Sequence, residues 1–541
     1  MEKKTPEKKI FYNGPIVTMD DSRPKVDAIG IEGESIISVG SLKEVKTKLG
    51  ADYNLNNLNG KTLLPGFIDS HLHPIIFLFY LFNLDLKDVR SLDELKKLLK
   101  NTAKERPKDK LLFGLSLKEE EFEDPEERVL PTRWDLDEAC PEHPVFIMRY
   151  DGHMGVANTK ALELAGITNE TADPEGGEIR RNREGEINGQ LTELAASKML
   201  SLISLPDPGI INSIATKGFN ILASKGLTSL HGVLQAEAGA EMGDAGAFEL
   251  PIFKTIMDRI PQNWYSMIFT QNPKKLKRLK KPPLHGGERE SQFKLGCLKL
   301  FADGTYGSAT ALMYEPFSDQ PDKSGFMVID KDKLYKCMKI AHNLGFQIGI
   351  HTIGDKGNRI VMDLYKKLLT EFPREDHRHR IEHASTLTPD TIKDMAEYGI
   401  IASCQPPFIN SEYTWLPKRL GAERCKKVYP MKSLIEAGVK VASGSDCPIE
   451  DPSVILGLHA LVKRNGFVPE ECISIKEALK TYTINGAFAS FEEDIKGSIE
   501  EGKLADLVIL DKNPLEVEAH EIKNIKVMET IIRGKTIFQR K

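Results

Sequence analysis

Residues 62–73 read Thr62-Leu63-Leu64-Pro65-Gly66-Phe67-Ile68-Asp69-Ser70-His71-Leu72-His73. An apolar run that ends in polar residues reads as a buried strand with its chemistry at the C-terminal end. On a strand, side chains two apart share a face and lie about 6.6 Å apart along the chain, so both imidazoles can reach one ion. Two solvated loop histidines would give the same letters, so the rest of the chain has to decide.

Working outward, strand-like runs at 62–70, 110–115, 227–231, 293–301, 347–351, 380–383, 400–404 and 439–443 alternate with helical-period stretches at 91–104, 211–225, 331–344 and 358–372. Strands alternating with helices in this number predict an α/β fold: a (β/α)8 barrel over residues 64–489. The third run begins about 110 residues after the second, too far for a βα connection, which predicts an inserted lobe over about 120–210. Both ends have a different texture. Short strands with turns at 10–12, 15–19, 28–32 and 35–39 match others at 503–510, 526–532 and 536–538. They predict a small discontinuous β-sandwich built from 1–63 and 490–541.

Composition removes several classes of function. The 541 residues are 40% hydrophobic and 28% charged, enough for a large core and against disorder. Lys and Arg total 74 against 79 Asp and Glu, a net charge of −5, which gives no footprint for nucleic acid or an anionic membrane. The seven cysteines have no C-x-x-C spacing, and the N-terminus MEKKTPEKKI has no apolar signal core. The longest apolar run, Ile75 to Phe82, is far short of the ~20 residues of a membrane span. The expectation is a cytoplasmic protein with a small-molecule substrate and no nucleic-acid or membrane partner, and a homodimer is the assembly to test.

The other strand ends carry matching chemistry. His351 and His383 close two apolar strands, and Asp446 follows another in Gly444-Ser445-Asp446. In a (β/α)8 barrel the C-terminal strand ends face the active site, and histidines with a carboxylate suit zinc or a similar first-row ion. Lys299 sits inside the apolar strand Cys297-Leu298-Lys299-Leu300-Phe301, where a charge is costly. It either snorkels to the barrel mouth or, as a neutral amine, captures carbon dioxide to become a bridging carbamate.

These strings resemble the amidohydrolase superfamily: Leu64 to His73, Lys299 to Asp303, Arg380 to His383, Gly444 to Asp446, and Gly497-Ser498-Ile499-Glu500-Glu501-Gly502-Lys503-Leu504-Ala505-Asp506. Asp151-Gly152-His153, Asn158-Thr159-Lys160 and His351-Thr352-Ile353-Gly354-Asp355 are similar to its amidohydrolase-3 branch, which includes N-substituted formamide deformylases. The resemblance implies a metal-dependent hydrolase with two divalent metal ions, zinc for preference. His71 and His73 would hold the more buried ion and His351 and His383 the outer one. Carboxylated Lys299 would bridge, and Asp446 would touch metal and carry protons. A metal-bridging hydroxide would hydrolyse a non-peptide C–N bond of an amide or formamide. A lactone or ester on the same site, a one-metal deaminase and a non-catalytic scaffold are the rival readings. Where branch members carry Gly-Trp-Asp, this chain has Ser116-Leu117-Lys118-Glu119, which bears on the substrate.

Other residues are expected near the site or away from it. His153 is read as a substrate contact, and His231 as a substrate-side or core histidine. Asp355 reads as a helix N-cap or a catalytic group, and Asp303 as a ligand-orienting residue or a turn cap. His377 and His379 form a second H-x-H in a charged run, read as a solvated turn about 13 Å before His383. The run 75–82 is a core-facing helical turn or the wall of an apolar cavity.

Overall fold

The structure, a computed structural model, describes residues 6–104, 106–200, 202, 208–236, 249–281 and 292–541. The first five residues of the charged N-terminus, and most of the expected insertion boundary before 208, lie outside the described residues. Among the described residues no helix is long and apolar enough to cross a membrane.

The opening stretch serves two sheets. Thr62–Pro65 pairs antiparallel with Leu507–Leu510 in a sheet made from both ends of the chain, and Phe67–Leu72 starts the barrel. Gly66 is the crossing point: a Cβ there would lie 2.2 Å from the Thr228 side chain, so only glycine fits. Its N–H donates to Asp506 O at 2.8 Å, and the next residue, Phe67, donates to Gly226 O at 3.0 Å. The strands from both ends are hydrogen-bonded into one continuous path, as expected of a small β domain assembled from the two ends. Lys8–Val17 joins Thr62–Pro65 at a single register position, Ile16 to Leu63.

The barrel has eight parallel strands: Phe67–Leu72, Leu227–Gln235, Asn263–Phe269, Phe293–Phe301, Gln347–Thr352, Arg380–His383, Ile401–Cys404 and Val441–Ser443. Seven coincide with expected runs. The exception is a correction. Residues 110–115 fall in a six-stranded sheet outside the barrel, as part of Leu112–Leu117, and the strand they displaced is Asn263–Phe269. The inserted lobe therefore follows the first barrel strand, starting at Leu84–Asp85 and running at least to helix Glu193–Leu200, rather than following the second. The seam between first and eighth strands is closed just beyond them, where Asp446 N–H donates to His71 O and His73 N–H to Cys447 O, both at 2.7 Å. Closure thus fixes two ligand candidates and the acid against one another.

Helix Pro74–Phe82 leads from the barrel to the lobe and plays both roles expected of its sequence. Ile75 and Leu78 are buried in the main core, while Ile76, Phe79 and Tyr80 line a cavity over the barrel mouth. Four aromatics in so short a helix cannot all be buried on one face, and here two faces are used.

Candidate metal centre

The cavity lies where the barrel's strand ends meet the lobe, with about 1360 Å³ of space between atoms, open mouth included. His71, His73, His351, His383 and Asp446 line its floor. Their rings follow one another around one space: His73 to His71 at 5.5 Å, His71 to His383 at 5.1 Å and His383 to His351 at 4.3 Å between centroids. Asp446 Oδ1 lies 3.2 Å from His73 Nε2 and 3.5 Å from His71 Nε2. The backbone is bent to achieve this, with φ of 72° at His383 and 60° at Asp446, the left-handed region that side-chain-bearing residues rarely adopt.

The donor set fits a divalent ion. Among the described residues His71 Nε2, His383 Nδ1 and Asp446 Oδ1 are buried and have no hydrogen-bond partner, an arrangement that costs free energy unless something else supplies the contact. Nitrogen and carboxylate oxygen in this grouping are zinc-type ligands. His71, His73 and Asp446 offer atoms all within 4.8 Å of one another. His351 points one ring nitrogen, Nε2, at Gly304 O at 3.3 Å, and its other face meets the ring of His383. Lys299 is fully buried opposite Gly349, two positions before His351 in register, its Nζ 3.9 Å from the centre of the Phe301 ring.

Behind His71 stands a buried charge pair. His71 Nδ1 faces Glu382 Oε2 at 2.6 Å, and Arg380 Nε meets Glu382 Oε1 at 2.8 Å. Burial pushes the His71 pKa down although Glu382 pulls it up, so the neutral ring donates Nδ1–H to the carboxylate and aims the Nε2 lone pair at the cavity. Burial would raise Glu382, but Arg380 and His71 hold it well below the usual carboxylate range. Burial likewise opposes ionisation of Asp446, yet His73, His71 and His383 keep its carboxyl far below its ordinary value.

The family model of the amidohydrolase family matches residues 55–538 of this sequence. The chain belongs to the amidohydrolase family. This amidohydrolase is 30% identical to the protein YtcJ of Bacillus subtilis (strain 168), over 98% of this chain and 100% of that one. It is 28% identical to the N-substituted formamide deformylase of Arthrobacter pascens, over 98% of each chain. A solved metal-dependent hydrolase of Pyrococcus horikoshii superposes with a TM-score of 0.73 at 26% identity, covering 95% of this chain and 99% of that one.

The remaining expected residues divide. His153 lines the cavity of this amidohydrolase, its ring 5.5 Å from that of His351 and its Nδ1 2.8 Å from Glu193 Oε2. Burial would lower its pKa, but Glu193 more than offsets this and holds it up at about 9. His231 does not reach the cavity. It is buried beneath the floor, its Nδ1 accepting from Arg380 at 3.2 Å, so the substrate contact expected of it is replaced by a supporting one. Asp303 accepts three backbone N–H groups, from Leu312, Ile353 and Gly354, each at 2.9 Å. Asp355 accepts from Tyr314 N at 2.9 Å in the first turn of its helix, away from the floor. The divergent stretch 116–119 stands one layer behind the cavity: Glu119 accepts from Arg149 Nε at 2.7 Å, and Arg149 Nη1 donates to the lining Asp151 at 2.6 Å.

His377 and His379 are not solvated, correcting the expected exposed turn. Both are buried at the opposite end of the barrel. Sequence reading also passed over Glu382, Glu193 and Glu249. Glu382 had a usable signal, a carboxylate between two strand residues already singled out. Glu193 and Glu249 had none, because they reach the site only through the lobe and a loop-borne helix.

Proposed function

We propose that the chain is a metal-dependent hydrolase that cleaves a non-peptide C–N bond, amide or formamide-like, in a small molecule. The observation that carries it is the trio of buried atoms on the cavity-lining His71, His383 and Asp446 that have no hydrogen-bond partner among the described residues. His71 and His73 would hold one divalent ion and His351 and His383 a second, with Lys299, converted by carbon dioxide to its carbamate with release of a proton, between them. Zinc suits these donors. Such ions, when bound, lower the pKa of water toward ~7 and polarise a carbonyl.

The chain's own groups supply the rest. Asp446 is held ionised, so it accepts the proton of the attacking water and returns it to the leaving nitrogen. His153, protonated and anchored through Nδ1 to Glu193, presents Nε2–H to the substrate. Phe79, Phe113, Phe301 and Met148 give the cavity apolar walls that exclude competing water. The cytoplasm is the proposed setting, because all seven cysteines are free and six are buried.

The test is metal analysis of purified protein followed by a panel of N-formyl, N-acyl and lactone compounds with zinc, manganese and cobalt. About two ions per chain and turnover of the C–N substrates are expected. Asp446→Asn should keep metal and lose at least ~100-fold in kcat. Turnover of lactones alone would replace the C–N reading with an ester one, and full activity in metal-replete Asp446→Asn would remove its proton role.

A further inference from the structure

The cavity's acidic groups are not equivalent. Asp151 is paired with Arg149 at 2.6 Å, Glu193 with His153 at 2.8 Å, Asp303 accepts three backbone N–H groups, and Asp446 faces the histidines. Glu249 has no such arrangement. It opens helix Glu249–Ile256 over the end of the second barrel strand, is 4% exposed, and lines the same cavity. Among the described residues its carboxylate has one hydrogen bond, from Gln235 N–H at 2.9 Å. Burial without a cation pushes its pKa up to about 7.

A carboxyl at such a place needs a partner to ionise cheaply. The described residues lining the cavity include no Lys or Arg, and its protonated histidine, His153, is already paired with Glu193, so among them no cation is left for Glu249. The surrounding walls are apolar. A ligand with an apolar body and a positively charged or N–H-rich head satisfies both features at once.

We propose that Glu249 is a specificity residue that pairs with a protonated amine on the substrate, so that this site takes amphiphilic, cationic compounds. The inference rests on the hydrolase reading only for the identity of the cavity, and amine binding can be measured whether or not any bond is cleaved. An ammonium group against the Glu249 carboxylate restores the charge balance that burial removes, while a neutral or anionic head leaves it unmet. Discrimination then comes from one carboxylate on the cavity wall rather than from the floor.

The test uses two probes of one shape, phenethylamine and phenethyl alcohol, titrated calorimetrically into the metal-loaded protein at pH 8. The wild type is expected to bind the amine at least tenfold more tightly than the alcohol, and Glu249→Gln to bring that ratio close to one. Thermal melting of the variant checks its fold, and Glu249→Asp should recover part of the preference. If amine and alcohol bind alike, or the amine fails to bind at millimolar concentration, Glu249 is a neutral acid hydrogen-bonded to water and the proposal is wrong. If the amine preference survives in Glu249→Gln, the metals or another cavity acid hold the amine, which overturns the proposal equally. Absence of hydrolysis across the substrate panel, with this preference intact, would count against the reaction and not against the binding.

Discussion

The chain carries two H-x-H motifs, His71 and His73 at the end of the first barrel strand and His377 and His379 just before the sixth. Burial does not separate them: His71 and His379 are both fully buried. Hydrogen bonding does. His379 Nδ1 accepts from Ile348 N at 3.1 Å, its Nε2 meets His342 Nδ1 at 2.9 Å, and His342 Nε2 meets Phe372 O at 2.9 Å. His377 Nδ1 accepts from His379 N and its Nε2 donates to Tyr398 O, both at 2.9 Å. Every ring nitrogen in that lower cluster is used within the protein, with each ring neutral and its tautomer fixed. At the upper motif His71 Nε2 is left facing Asp446. Lone pairs left over after folding, rather than spacing or burial, mark the place for an ion.

The largest effect should come from exchanging the two motifs' fates. His71→Asn is expected to lose bound metal and at least ~1,000-fold in activity, read by elemental analysis and kcat, because an ion ligand is removed. His379→Asn should keep full metal content and lose about 2 kcal/mol of stability, since Ile348 N–H and His342 lose their partner. Metal loss in the lower variant would erase the distinction.

An intermediate effect is expected one residue behind the upper motif. Glu382→Gln removes the charge that orients His71, which should weaken metal affinity about 10–100-fold by chelator competition. It also leaves Arg380 without its carboxylate, so a lower melting temperature should accompany it. Unchanged affinity would confine Glu382 to a structural role.

The smallest effect is a pH slope that belongs to the lower cluster. Burial pushes His377 down to about 4, and His379 well below its ordinary value. The unfolded rings bind protons first, so this stability is complete above about pH 6.5 and is lost as pH falls toward 4. Denaturant titrations from pH 7 to 4.5 should show a decline shallower by roughly 2 kcal/mol in His377→Gln. Identical slopes in variant and wild type would mean the cluster does not titrate with folding.

How far the fold could be read from sequence follows from what each strand touches. Barrel strands covered on both faces are continuous apolar runs, which is why Gln347–Thr352 and Phe293–Phe301 stand out. Leu112–Leu117 misleads because the lobe sheet is also covered on both sides and pairs in parallel with its neighbours, so its letters are the same. Asn263–Phe269 hides because polar residues are used inside the barrel: Asn263 Nδ2 donates to Asp506 at 2.6 Å and Tyr265 OH to Gln347 at 3.2 Å. The five histidine and aspartate positions of the floor were found because barrel topology puts strand ends in one place. His377 and His379 were misread as exposed because the charges flanking them are conspicuous. The period-two alternation, with Asp376 outward and His377 and His379 inward, was the better clue.

The crossing at Gly66 bears on the order in which the chain can mature. Thr62–Pro65 needs Leu507–Leu510 as its neighbour, and Gly66 itself hydrogen-bonds to Asp506. The entire barrel is synthesised between these partners. His71 and His73 are therefore made long before the strand Leu507–Leu510 that pairs beneath them. The non-local pairing that sets this delay is the slow kind in folding kinetics.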